Sequence, residues 1–217
     1  ENGIYAVRDK LGRTPIAIGK RENAYAVSSE TSAFHNLGYQ TDYYLGPGEV
    51  VFVTPDGYEQ IRAPREKMQV CSFLWVYYGY PSSYYEGINV EYVRYQCGKA
   101  LARNDTVEAD LVAGIPDSGI GHAIGYANEK HIPYMRPYVK YTPTWPRSFM
   151  PQNQAVRDLV ARMKLIPNQT LIEGRRIIFC DDSIVRGTQL NDNIQVLFQF
   201  GAREVHMRVA CPPLVYP

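Results

Sequence analysis

Two adjacent carboxylates, Asp181 and Asp182, follow a run of four apolar residues, Ile177-Ile178-Phe179-Cys180. After them comes a short loop with a hydroxyl at each end, Ser183-Ile184-Val185-Arg186-Gly187-Thr188, and then a helix-like stretch. Paired acids at the carboxyl end of a buried strand can accept hydrogen bonds from vicinal sugar hydroxyls, or hold Mg²⁺ through oxygen or water. Unpaired backbone N–H groups where the next helix begins make an anion site. Gly187 lets the backbone come close to that anion, and Ser183 and Thr188 add donors. Taken in order, these residues describe a pocket for a phosphorylated sugar. The competing reading is a capped strand-loop-helix whose acids are merely solvated.

Two further stretches carry chemistry. Gly114-Ile115-Pro116-Asp117-Ser118-Gly119-Ile120-Gly121 is a second strand-to-helix loop. Gly119 and Gly121 invite a dinucleotide-binding reading, but the third glycine is one place late and no acid closes a clear second strand. A plain tight turn with an Asp or Ser helix cap is the bland alternative. The third stretch, Lys140-Tyr141-Thr142-Pro143-Thr144-Trp145-Pro146-Arg147, has a basic residue at each end and two prolines that stiffen it. The four histidines show no metal-ligand spacing.

Positioning such groups requires a parallel sheet. From about residue 71 the chain alternates strand-like and helix-like segments. Phe73–Tyr78, Asp110–Ile115, Tyr134–Val139, Arg176–Cys180 and Glu204–Ala210 are the expected strands. Val90–Arg103, Ile120–Lys130, Ala155–Lys164 and Asn191–Phe200 are the expected helices. Such βαβ grammar predicts a parallel sheet with flanking helices. Residues 1–65 instead read as antiparallel β, from Ile4–Val7, Ile16–Ile18, Tyr25–Val27 and Val50–Val53 with a Pro55-Asp56-Gly57 turn, plus a short helix at Ser32–Leu37. The predicted architecture is α/β, preceded by a β-rich α+β segment, with domains at 1–65 and 66–217.

Composition narrows the function classes. With 217 residues and 45% hydrophobic content, a substantial core is expected. A formal net charge of +1 gives no electrostatic reason to invoke nucleic acid or a membrane surface. Four scattered cysteines without a C-x-x-C pair suit a reducing cytoplasm. The 18 tyrosines read as packing and interface residues.

The string Asp181-Asp182-Ser183-Ile184-Val185-Arg186-Gly187-Thr188 resembles the phosphoribosylpyrophosphate (PRPP) signature of type I phosphoribosyltransferases, in the version found in glutamine PRPP amidotransferases. Several other stretches resemble the same family in order. They are Arg8-Asp9 with Gly12-Arg13-Thr14-Pro15, Ser28-Ser29-Glu30, Leu45-Gly46-Pro47-Gly48-Glu49, Gly114–Gly119, Arg147-Ser148-Phe149-Met150 and Ala210-Cys211-Pro212-Pro213.

The resemblance implies 5-phosphoribosylamine formation from PRPP and glutamine-derived ammonia with release of pyrophosphate, the first step of de novo purine biosynthesis. It implies that Asp181 and Asp182 hold ribose and Mg²⁺, that Ser183–Thr188 hold the 5′-phosphate, and that Pro116, Asp117, Ser118 and Gly119 grip pyrophosphate. Lys140 and Arg147 would be the catalytic cations of a closing lid, whose middle departs from the family's Asn-Arg-Tyr-Val-Gly. Family members often place a metal-contacting Ser where this chain has Gly119. In one branch a Cys at the place of Cys71 is a [4Fe–4S] ligand, with the others expected beyond residue 217. Purine nucleotide inhibitors and a homo-oligomer are implied as well. The chain matches an internal piece: the later part of the glutaminase domain, without its cysteine nucleophile, and most of the phosphoribosyltransferase domain. Arg8-Asp9 and Ser29-Glu30 are then expected to be structural. A phosphoribosyltransferase acting on a free nucleobase, or a non-catalytic PRPP- or nucleotide-sensing module, would carry the same pocket.

Overall fold

A computed structural model describes residues 2–141, 165–184 and 188–213. The chain divides into two compact units, residues 1–93 and 94–217.

The first unit is built from antiparallel strands. β1 (Ile4–Val7) pairs with β5 (Val50–Thr54), which pairs with β6 (Gly57–Arg62). β2 (Ala17–Arg21) pairs with β3 (Ala24–Ser28) and β4 (Gln40–Tyr44). The short helix α1 spans Ser32–Asn36. Ala6, Ile18, Leu45, Val51 and Val53 form the core of the unit, with Val27 and Tyr43 packed against it. Alternation along β5, where Val51 and Val53 are buried, is the period-2 pattern of a half-buried strand. β4, Gln-Thr-Asp-Tyr-Tyr, has no apolar run and escaped the sequence reading.

The expected strand at Phe73–Tyr78 is a helical turn instead. Leu74–Tyr78 forms a wide turn in which the Gly79 N–H bonds the Leu74 carbonyl at 2.7 Å, five residues back. The segment is rich in β-formers, but its apolar residues run on without alternation, and tertiary packing decides. Trp75 is buried edge-on against Tyr85, and its indole N–H donates to the Ile88 carbonyl at 3.1 Å. Phe73 and Tyr77, four residues apart, stack at 4.6 Å. A hairpin of β7 (Tyr84–Tyr85) and β8 (Ile88–Asn89) follows.

The second unit carries a parallel sheet in the order β13-β12-β9, with β9 at Leu111–Gly114, β12 at Arg176–Asp181 and β13 at Glu204–Val209. β12 is central and buried on both faces, which its unbroken apolar run requires. Ile177 and Phe179 face one layer, with Leu111, Tyr138, Ile172 and Leu197. Ile178 and Cys180 face the other, with Val112, Ala123, Tyr126 and Ala127. Helix α3 (Ile120–Lys130) packs on this second face. Helix α2 (Val90–Arg103) reaches the same layer through Ala102. α2 and α3 touch backbone to backbone: a Cβ on Gly125 would stand 1.9 Å from the Tyr95 carbonyl oxygen. The first face is covered by α4 (Gln169–Ile172) and α5 (Thr188–Gln199) through Ile172 and Leu197.

The expected strand at Tyr134–Val139 is only partly regular. Tyr134 makes an isolated parallel bridge to Val112, and β10 (Tyr138–Lys140) pairs antiparallel with β11 (Leu165–Pro167). Pro137 between them has no N–H to give a ladder. The expected helix at Ala155–Lys164 lies outside the described residues. Among the described residues no helix is long and apolar enough to cross a membrane.

Candidate functional site

β12 delivers Asp181 as its last residue and Asp182 just beyond it, at the carboxyl end of the parallel sheet where ligands of open α/β folds bind. Parallel pairing to β13 continues past the strand, since Ala210 N–H bonds the Asp181 carbonyl at 3.0 Å and Cys211 N–H bonds that of Asp182 at 2.8 Å. The backbone of the acid pair is thereby fixed.

The side chains are held by hydroxyls and amides. Asp181 Oδ1 accepts the Asp182 N–H at 2.9 Å and the Ser118 hydroxyl at 3.1 Å. Asp182 Oδ1 accepts the hydroxyl of Ser183 at 3.2 Å. Asp182 is only 6% exposed. Neither acid forms an ion pair among the described residues. Burial, and then the charge of Asp182, push the Asp181 carboxyl up to about 6, against the pull of its two donors. A half-buried and a buried carboxylate side by side, with no ion-pair partner among the described residues, cost stability and suit a cation or a polyhydroxyl ligand.

The second loop, Gly114–Gly119, lies against this strand tip. Ile115 N–H bonds the Cys180 carbonyl at 2.9 Å, and Gly119 N–H bonds the Ile115 carbonyl at 2.8 Å. The Pro116–Asp117 peptide is cis. A Cβ on Gly119 would stand 2.1 Å from the Cys180 carbonyl oxygen, so the position holds glycine for close approach. A serine at this place has no room in this backbone. The bland reading of this loop as a side-chain-capped turn fails: α3 starts after Gly119 with no side-chain cap bond and no acid in its first turn. A helix N-terminus with no side-chain cap and no acid in its own first turn suits an anion.

Lys140, at the end of β10, reaches the same loop. Its ammonium pairs with Asp117 at 2.7 Å, both side chains being substantially exposed. Thus Pro116, Asp117, Ser118, Gly119, Lys140, Asp181, Asp182 and Ser183 belong to two neighbouring loops and a strand end. Ile184 is half exposed just after them, and Thr188 opens α5. Val185, Arg186, Gly187 and Arg147 lie outside the described residues.

The donor set at the strand tip is two carboxylates with hydroxyls, all hard oxygen, which fits Mg²⁺ bound through one or two carboxylates and a phosphorylated substrate. Among the described residues no three His, Cys, Asp or Glu side chains gather. Cys71 is exposed and lines a cavity of about 330 Å³ in the first unit with Arg13, Thr14, Ser29 and Tyr85. Cys180 is buried, and its thiol is pushed up to about 12 by burial.

In the first unit, Arg8 and Glu30 serve the fold. The Arg8 side chain is fully buried, pairs with Glu86 at 2.6 Å and donates to the carbonyls of Gly12, Thr14 and Leu45. Glu30 accepts the hydroxyls of Ser83 and Tyr85. A network that sequence reasoning missed lies under the parallel sheet. Asp105 takes both Nε and Nη2 of Arg208 and the Tyr126 hydroxyl. Arg208 holds the Asp105 carboxyl well below the usual carboxylate range. The partners are 103 residues apart, so no local pattern announces them.

No family model matches the chain. Curated relatives do. The amidophosphoribosyltransferase of Mycobacterium tuberculosis is 38% identical over 217 residues, all of this chain and 41% of the relative. That of Bacillus subtilis is 38% identical over 218 residues, all of this chain and 46% of the relative. That of Pyrococcus horikoshii is 39% identical over 214 residues, 99% of this chain and 46% of the relative. Among solved structures, the B. subtilis glutamine PRPP amidotransferase complexed with ADP and GMP superposes with a TM-score of 0.89 at 37% identity, covering all of this chain and 48% of that one. From end to end, then, this chain is homologous to part of the amidophosphoribosyltransferases, and it spans about half the length of the curated relatives it matches.

Proposed function

We propose that this chain carries the PRPP site of an amidophosphoribosyltransferase. The protein would form 5-phosphoribosylamine from PRPP and glutamine-derived ammonia, releasing pyrophosphate at the first step of purine biosynthesis. The observation that carries this reading is the acid pair at the strand tip, half-buried Asp181 and buried Asp182, with no ion-pair partner among the described residues, beside the Pro116–Gly119 loop.

In this reading Asp181 and Asp182 accept the ribose hydroxyls. The N–H groups of Asp117 and Ser118 and the start of α3 receive the pyrophosphate, and Ser183–Thr188 with the start of α5 receive the 5′-phosphate. Asp181 and Asp182 would hold Mg²⁺, which would supply positive charge to the pyrophosphate. Lys140 and Arg147 add positive charge there. Ammonia is already a nucleophile, so orientation and charge stabilisation, rather than base catalysis, carry the rate. Fixing both ends of the sugar contributes roughly 7–11 kcal/mol in favourable cases.

Residues 1–65 are proposed as the later part of a glutaminase domain and 66–217 as most of the phosphoribosyltransferase domain, with residues 66–93 packing in the first compact unit. A cytoplasmic homo-oligomer inhibited by purine nucleotides completes the reading. The ADP and GMP bound to the B. subtilis relative support the nucleotides as ligands.

The test is product formation by the full-length protein. PRPP, Mg²⁺ and ammonia should yield pyrophosphate and phosphoribosylamine, and nucleobases should not replace ammonia. Turnover with a nucleobase alone would assign a salvage-type transferase. PRPP binding without any turnover would assign a sensor.

A further inference from the structure

The two acids at the tip of β12 are held differently. Asp182 is held by its own neighbour, Ser183. Asp181 is held from another segment: Ser118, 63 residues away in the loop after β9, donates its hydroxyl to Oδ1 at 3.1 Å. The same Oδ1 takes the Asp182 N–H at 2.9 Å. Ser118 stands one residue before Gly119, the N-cap of α3, so its hydroxyl is not the helix cap. Its hydroxyl is committed across the site.

The loop that carries Ser118 cannot slide along the strand. Ile115 N–H is bonded to the Cys180 carbonyl at 2.9 Å. Gly119 lies so close to the same carbonyl that a Cβ would fall 2.1 Å from its oxygen. The Ser118 hydroxyl is thus set at a fixed place relative to Asp181 by backbone contacts on both sides of it.

We propose that Ser118 is a positioning residue: its hydroxyl fixes the orientation of Asp181 and so couples the pyrophosphate loop to the ribose and metal end of the site. This inference rests on the PRPP reading of the site. Its consequence is that the loop Pro116–Gly119 and the acid pair bind their ligand groups as one unit, and that loss of the hydroxyl weakens Mg²⁺-dependent binding while leaving the fold in place.

The experiment uses the full-length protein and isothermal titration with PRPP at several Mg²⁺ concentrations, beside thermal melts. Ser118→Ala should raise the Mg²⁺ needed for half-maximal PRPP binding about tenfold, the scale of one hydrogen bond to a charged acceptor. Ser118→Thr keeps a hydroxyl and Ser118→Val, of similar shape, does not. Threonine should bind within about twofold of wild type and valine should fall with alanine. Wild-type Mg²⁺ dependence in Ser118→Ala, or equal binding by the valine and threonine variants, would overturn the positioning role. Absence of PRPP binding in the wild type would instead overturn the underlying reading of the site, and this inference with it.

Discussion

The two units treat buried charge in opposite ways. In the first, Arg8 is fully buried and its guanidinium is spoken for by Glu86 and three carbonyls. In the second, Asp181 and Asp182 are drawn into a buried strand end with hydroxyls and amides but no described cation. A satisfied buried charge maintains a fold. An uncompensated one raises the free energy of the empty protein and is relieved by a ligand. The contrast repeats inside the second unit: Asp105, paired with Arg208, has its carboxyl well below the usual range, whereas that of Asp181 is pushed up to about 6.

Breaking the compensated charge should cost the most. Arg8→Met should lower stability by about 3–5 kcal/mol, because it strands Glu86 and three carbonyls, two of them buried, together. Denaturant unfolding measures this, and a loss under 1 kcal/mol would mean that the Arg8 hub is incidental. Arg208→Met should cost about 2–3 kcal/mol, somewhat less because part of the pair touches solvent.

The uncompensated charge should respond with the opposite sign. Asp181 has a raised carboxyl, so the folded state holds its proton above the pH at which the unfolded chain releases it. The penalty is absent below the unfolded value near 3.8, grows as pH rises toward about 6, and is complete above that. Asp181→Asn should therefore stabilise the protein above pH 6 by up to about 2 kcal/mol, with the gain fading toward pH 4. The same change should lower turnover by about a hundredfold or more, the scale of losing one preorganised electrostatic contact. A destabilised Asn variant would break the comparison. The smallest effect belongs to the exposed Lys140–Asp117 pair: Asp117→Asn should shift stability by less than about 0.5 kcal/mol.

Much of this was readable from residue order. An unbroken apolar run that ends in two acids reads as a buried strand delivering them at its carboxyl end, and β12 ends at Asp181 accordingly. α2 and α3 match their helical periodicity to the residue. What failed was local propensity against tertiary demand: the aromatic run Leu74–Tyr78 coils so that Trp75 can be buried on Tyr85, which β-propensity does not register. β4 was missed because the residue it packs on the core, Tyr43, stands among polar neighbours rather than in an apolar run. The Ser118–Asp181 and Asp105–Arg208 contacts join residues far apart in the chain, and only a folded backbone brings them together.

The most direct test of the central claim is a crystal structure of the full-length protein with Mg²⁺ and PRPP. The account predicts ribose hydroxyls on Asp181 and Asp182, pyrophosphate on the Pro116–Gly119 loop and the 5′-phosphate at the start of α5. PRPP bound elsewhere, with this strand tip holding only water, would contradict it.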